Sequence, residues 1–124
     1  MSFLTRWDEG GFFAEFAGVV SAWEIEAVNN EFTGSAKFDA ARFALWDMSG
    51  ITQLNMDTSD VEDAAATDKG ASVVRQSLRG AIVVSEGPVR KMVEHYLAVS
   101  GELENTWDTR LFPDLESARR WLGI

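Results

Sequence analysis

Cysteine is absent from this chain, histidine and tyrosine occur once each, and there are two prolines. The first absence excludes disulfides, thiol nucleophiles and thiolate metal sites, and a cytoplasmic address is the expectation that goes with it. The single histidine, His95, leaves one imidazole for acid–base work. Long apolar runs are missing as well. Nothing approaches the ~18 residues of a membrane span. The opening "MSFLTRWDEGGFF" is broken by Arg6, Asp8 and Glu9, so it has no signal-peptide apolar core. Positive charge is scarce: eleven Lys and Arg stand against twenty Asp and Glu, a formal net charge of -9. Nucleic acid needs a basic stripe to displace its counterions, and "RQSLR" and "ARR" are small and separate. The same sign disfavours an anionic membrane and favours solubility and a basic partner. Glycine-rich phosphate loops are also missing, in both the G-x-G-x-x-G and the P-loop form. No cofactor, no metal, no nucleic acid and no membrane span are therefore expected.

What is present suffices for one domain spanning residues 1–124. The chain has 124 residues, 46% hydrophobic and 25% charged, which reads as globular. "SFLTRWD" and "GFFAEFAG" are β-rich runs joined by Asp8-Glu9-Gly10-Gly11, a hairpin signal with glycines free to take positive φ. In "SAWEIEAVNNEF", Ser21 and Glu24 make a capping box, and Ile25, Val28 and Phe32 recur at helical spacing. "FALWDM" is apolar on both parities, as a strand covered on both faces should be. Ser59-Asp60-Val61-Glu62 reads as a second capping box, opening an alanine-rich, poorly amphipathic helix to about Leu78. "GAIVVS" is another buried strand. Gly87-Pro88 starts a helix with Val89, Met92, Val93, Tyr96 and Leu97 inward. "NTWDTRLF" is the last strand, and "DLESARRWLGI" a closing helix with Leu115, Ala118, Trp121 and Leu122 inward. The order β-β-α-β-α-β-α-β-α predicts an α/β domain with a mainly parallel sheet, an antiparallel N-terminal hairpin and four helices.

The chemistry concentrates in "FALWDMSGITQLNMDTSDVE", residues 43–62. The strand through Asp47 is expected to end near Met48, with a turn at Ser49-Gly50. Beyond the carboxyl ends of such strands this fold class places its sites. Three readings of the oxygen cluster stand side by side. Asn55, Asp57, Ser59 and Asp63 alternate like ligands of a calcium loop, but the sixth and twelfth positions of that pattern are Asp60 and Ala66 instead of glycine and glutamate. Thr58 or Ser59 at a helix start could take a phosphate, against the repulsion of Asp57, Asp60, Glu62 and Asp63. Helix capping by Ser59 is the simplest account. His95 lies beside its helix's inner face with no nucleophile elbow or paired carboxylates. Five tryptophans and eight phenylalanines are many for this length. A packed aromatic core is the first reading. A contact surface on Trp7, Phe12, Phe13, Phe16 and Trp23, near the hairpin and first helix, is the second.

Three stretches resemble the SpoIIAA-like family within the STAS group, the sulphate transporter and anti-sigma factor antagonist domains. "FFAEFAGVVSAWEIEAV" is similar to its strand–glycine–helix opening. "LRGAIVVSEGPVRKMVEHYL" resembles its arginine-led strand and following helix, and "TRLFPDLESARRWL" its usual ending. Anti-sigma factor antagonists also carry Asp-Leu-Ser-Gly-Val-Thr, two apolar residues, then Asp-Ser-Ser-Gly with a phosphorylated serine. "DMSGIT" at 47–52 matches the first half. Without a gap, "NMDT" at 55–58 falls on the second and puts Met56 at the phosphoserine; "DTSD" at 57–60 restores the chemistry only with a two-residue shift. The resemblance thus implies a SpoIIAA-like domain that regulates by binding, without catalysis and without the phosphoswitch serine. Asp47, Ser49, Asp57, Thr58 and Ser59 are its candidate recognition residues, for another protein or a second copy of the chain as a homodimer. A carrier of a small apolar or lipid-like ligand is the alternative.

Overall fold

The computed structural model describes residues 2–124. Its elements follow the expected order. Strand β1 (Phe3–Asp8) and β2 (Gly11–Ser21) lead into α1 (Ala22–Thr33). Then come β3 (Phe43–Asn55), α2 (Thr58–Val74), β4 (Arg79–Val83), α3 (Pro88–Glu102), β5 (Asp108–Phe112) and α4 (Leu115–Leu122). A short 3-10 turn at Ala36–Ala40, not anticipated from the sequence, sits between α1 and β3. Glu9 and Gly10 both have positive φ, 55° and 80°. That pair of values lets a two-residue turn follow the twist of the strands it joins. The five strands lie in sequence order: β1 antiparallel to β2, and the other neighbours parallel.

Alternation along the strands sends side chains to two different layers. On one face Phe12, Ala14 and Phe16 of β2 and Ala44 and Met48 of β3 are buried with Ile25, Val28 and Phe32 of α1 and Val93 of α3. On the other, Phe13, Phe43, Leu45, Ala81 and Val83 are closed over by α4, through Ala118, Trp121 and Leu122. So three helices cover one side and one helix the other.

Four expectations need correction. First, β3 runs on through Ser49-Gly50 to Asn55, paired with β2 as far as Ser21. Ser49-Gly50 is strand, not turn. Gly50 is needed there for close approach: a Cβ would sit 2.7 Å from the Phe16 carbonyl oxygen. Second, α2 begins earlier and ends earlier than read. Asp57, not Ser59, is its N-cap, its carboxylate accepting from the Asp60 N–H at 2.8 Å while Asp60 accepts from the Asp57 N–H at 3.0 Å. Third, Leu115 is 44% exposed, because it opens α4 before the helix turns its apolar stripe to the sheet. Fourth, the aromatic contact surface gives way to the packed core of the first reading: Phe12, Phe13 and Phe16 are 0%, 7% and 1% exposed, and Trp7 packs at 5.1 Å on Phe12. Of the proposed aromatic surface only Trp23 stands out, 68% exposed.

Candidate functional site

Helix α2 has little to pack with. Its buried positions are Val61, Ala65, Asp68 and Ser72, a single narrow stripe at spacings of four, three and four. Small side chains on that stripe leave the space beneath the helix unfilled. The result is a cavity of 280 Å³ between β3–β4 and the three helices. Its walls are largely apolar: Ile25 and Phe32, Trp46 and Met48, Met92 and Val93 face it from α1, β3 and α3. Glu26, Asp63 and Thr67 are exposed and also line it, so it reaches the surface between α1 and α2.

Each covering helix contributes one member of a polar cluster on that wall. Asp68 of α2 accepts from Asn29 Nδ2 of α1 at 2.8 Å. Its other carboxylate oxygen accepts from the Tyr96 hydroxyl of α3. Asp68 is 7% exposed and Asn29 9%. Burial raises the Asp68 carboxyl above its ordinary value, against the lowering effect of the Tyr96 and Asn29 hydrogen bonds. Burial also pushes the Tyr96 hydroxyl well up, helped by the Asp68 charge. Trp107, another wall residue, satisfies its indole N–H on the Arg75 carbonyl at 2.7 Å. The arrangement can hold a small apolar body and offer it a polar anchor.

The residues singled out from the sequence do not assemble into one site. Asp47 and Ser49 lie mid-strand, where Asp47 accepts from the Ser49 N–H at 3.0 Å and its hydroxyl at 2.6 Å. Asp57 is ten residues further along, most of that in extended chain, and on the order of 25 Å away at ~3.3 Å per residue. Thr58 and Ser59 are exposed in the first turn of α2. The alternating oxygens do not wrap around a point either. Asn55 closes β3 and accepts from Gln53 Nε2, while Asp57 is occupied as a cap. Among the described residues no group of three or more His, Asp or Glu is placed to hold a metal. His95 is 3.8 Å from Glu62 across α2 and α3, away from the cavity wall. Reading from sequence missed Asn29 and Asp68, and placed Tyr96 on the inner face of its helix without giving it a role at a site. The signal was there for Asp68: a carboxylate in register with Val61 and Ala65 on a helix that must face inward.

No protein-family model matches the chain, and no curated protein matches it. A solved structure does: an uncharacterized protein of the DUF3478 family with a SpoIIAA-like fold from Shewanella loihica PV-4. The two share 13% identity with a TM-score of 0.56, over 97% of this chain and 91% of that one. At that identity the likeness establishes the fold, which is SpoIIAA-like, as the sequence resemblance implied, and nothing of the chemistry.

Proposed function

We propose that this domain works by binding a small apolar ligand in the cavity beneath α2, without turning it over. The observation that carries the reading is the cavity itself: 280 Å³, walled largely by aromatic and aliphatic side chains, with one buried polar cluster and further acids, Glu26, Asp60 and Asp63, toward its opening or the start of α2. At about 30 Å³ for each water-sized unit it has room for roughly nine non-hydrogen atoms, a fragment-sized occupant. Convergent polar groups in an apolar pocket are what orients such a ligand. The make-up of the wall supports binding without turnover. Neither a nucleophile–base pair nor His95 lies on it.

Native mass spectrometry of protein purified without denaturation tests this directly. A retained small mass that organic extraction removes, and that octanol replaces, supports the reading. Ester, phosphate and nucleotide panels should show no turnover; activity abolished by His95→Ala would overturn it.

A regulatory contact, which the anti-sigma resemblance implies, is the second reading. It is favoured by exposed apolar side chains at the β2–α1 junction, Val19 at 55% and Trp23 at 68%. Sedimentation of wild type and Trp23→Ala over a range of concentrations separates self-association from a monomer. A monomer throughout removes the homodimer.

A further inference from the structure

Resting on the reading of the cavity as a ligand site, we infer that its ligand carries a cationic nitrogen, and that fatty carboxylates and phosphates are excluded. The wall holds four carboxylates, Glu26, Asp60, Asp63 and Asp68, and among the described residues no Lys, Arg or His lines it. Three of the four stand toward the α1–α2 opening or the start of α2, where water screens them. Asp68 does not. It is 7% exposed, and the partners that fix it are both neutral. A carboxylate has about four lone-pair positions, of which Asn29 and Tyr96 use two. It is therefore a buried acceptor with spare capacity and no counter-ion among the described residues, on the wall of a largely apolar cavity.

Burying a carboxylate without a cation is costly. Beyond the Asn29 and Tyr96 hydrogen bonds, the wall gives nothing to offset that cost. A ligand with one protonated nitrogen would offset it, because charges attract far more strongly in a water-poor cavity than in solvent. The aromatic residues of the wall suit the same ligand. Trp46, Trp107 and Tyr96 line the cavity with Asp68, and aromatic faces attract cations. An anionic head would meet the opposite: a like charge at Asp68 and three more at the approach. A neutral alcohol would gain the apolar contact and one hydrogen bond, but no charge compensation. The chemistry that fits is a small aliphatic or aromatic amine, about nine non-hydrogen atoms in bulk.

The test is a matched series of one chain length with three heads: octylamine, octanol and octanoate. Titrations at neutral pH are followed by the fluorescence of the wall tryptophans and by calorimetry. Octylamine should bind one per chain, at least about tenfold tighter than octanoate, with octanol between them and able to displace the amine. In Asp68→Asn the preference for octylamine over octanol should collapse toward unity while octanol binding persists. Octanol or octanoate binding as tightly as octylamine overturns the cation preference and leaves the apolar-ligand reading intact. Failure of all three to bind overturns both. Amine binding that octanol cannot displace, or at more than one per chain, marks surface charge pairing and overturns the inference as well. The wild-type series needs no variant, so a misfolded Asp68→Asn would not rescue a failed prediction.

Discussion

On the α4 side of the sheet, Phe13 meets Phe43 edge-on at 5.4 Å and Phe112 packs on Trp121 at 5.4 Å. Two arginines, Arg79 and Arg110, lie over the Trp121 ring. On the other side three helices cover the same strands, and between them lies a cavity with a buried acid on its wall. One helix with a concentrated apolar stripe closes its face; three helices, one of them almost without large side chains, do not. What differs is the volume that each layer brings to the space it must fill. A close-packed interior tolerates few voids larger than a water molecule, so a void of this size beside a well-packed counterpart is the contrast on which the ligand-site proposal rests.

The sharpest way to break that contrast is to truncate one large residue on each face. Phe43→Ala should cost about 3–5 kcal/mol in urea unfolding, because its ring is enclosed. Met92→Ala should cost about 2 kcal/mol or less, since one side of Met92 already adjoins empty space. Equal losses would mean that the cavity side is packed as firmly as the other. Enlarging residues reverses the signs. Ala118 is 0% exposed under α4, and Ala118→Leu should destabilise by ~1–3 kcal/mol through overpacking. Ala64→Leu projects into the cavity instead. It should be neutral or stabilising by up to ~1 kcal/mol and should weaken octanol binding; a loss like that of Ala118→Leu would argue against open space beneath α2.

Smaller effects are expected at the end of α2. Asp57→Ala removes the cap and should cost ~1 kcal/mol, whereas Ser59→Ala should stay within about 0.5 kcal/mol. The reverse ranking would restore Ser59 as the start of the helix. Specific to the cavity face is the pH response of Asp68. Its carboxyl is raised in the folded state from an unfolded value near 3.8. The folded chain therefore holds the proton more tightly. The resulting penalty is absent below the unfolded value, grows as pH rises from 3.8 to the raised folded value, and stays constant above it. Asp68→Asn should lose this component. The difference in urea midpoint between variant and wild type should move in the variant's favour as pH rises from 4 to neutral. A difference that does not change with pH would show that Asp68 is no more burdened folded than unfolded.

Element order, the hairpin and the split between parallel and antiparallel pairing were legible because each rests on local chemistry: the Glu9-Gly10 turn, the Ser21 N-cap, Pro88 in the first turn of α3. The Ser21 N–H donates to Glu24 at 3.1 Å, as the capping box required. The length of β3 was not legible. Ser49-Gly50 carries turn chemistry, but the pairing of β2 with β3, with irregularities near Ala17 and Gly18, keeps it extended. That is a tertiary requirement, visible only once the Phe16 carbonyl is known to lie against Gly50. The start of α2 was misplaced by two residues because "DTSDVE" offers two overlapping capping boxes, and the earlier one forms. The cavity was legible only as an oddity, a helix too poor in large residues to pack well. Its consequence depends on where α1 and α3 stand, and periodicity along one helix says nothing of that.

The hairpin turn also bears on how the chain finds its fold. Every neighbouring pair in the sheet is also consecutive in the chain, but β1 and β2 alone are joined by a tight turn, with two residues between them. Each of the three parallel pairings must instead close a loop of about thirty residues or more, at several kcal/mol of chain entropy before any contact compensates. A helix forming within each loop shortens the gap that has to be closed. Local β closure with helix-assisted long-range pairing places the chain among the mixed α/β domains, slower to fold than helical bundles and faster than all-β sandwiches. The positive φ at Glu9, which glycine or asparagine would adopt at lower cost, lies in the one sheet contact that can form without waiting for the rest.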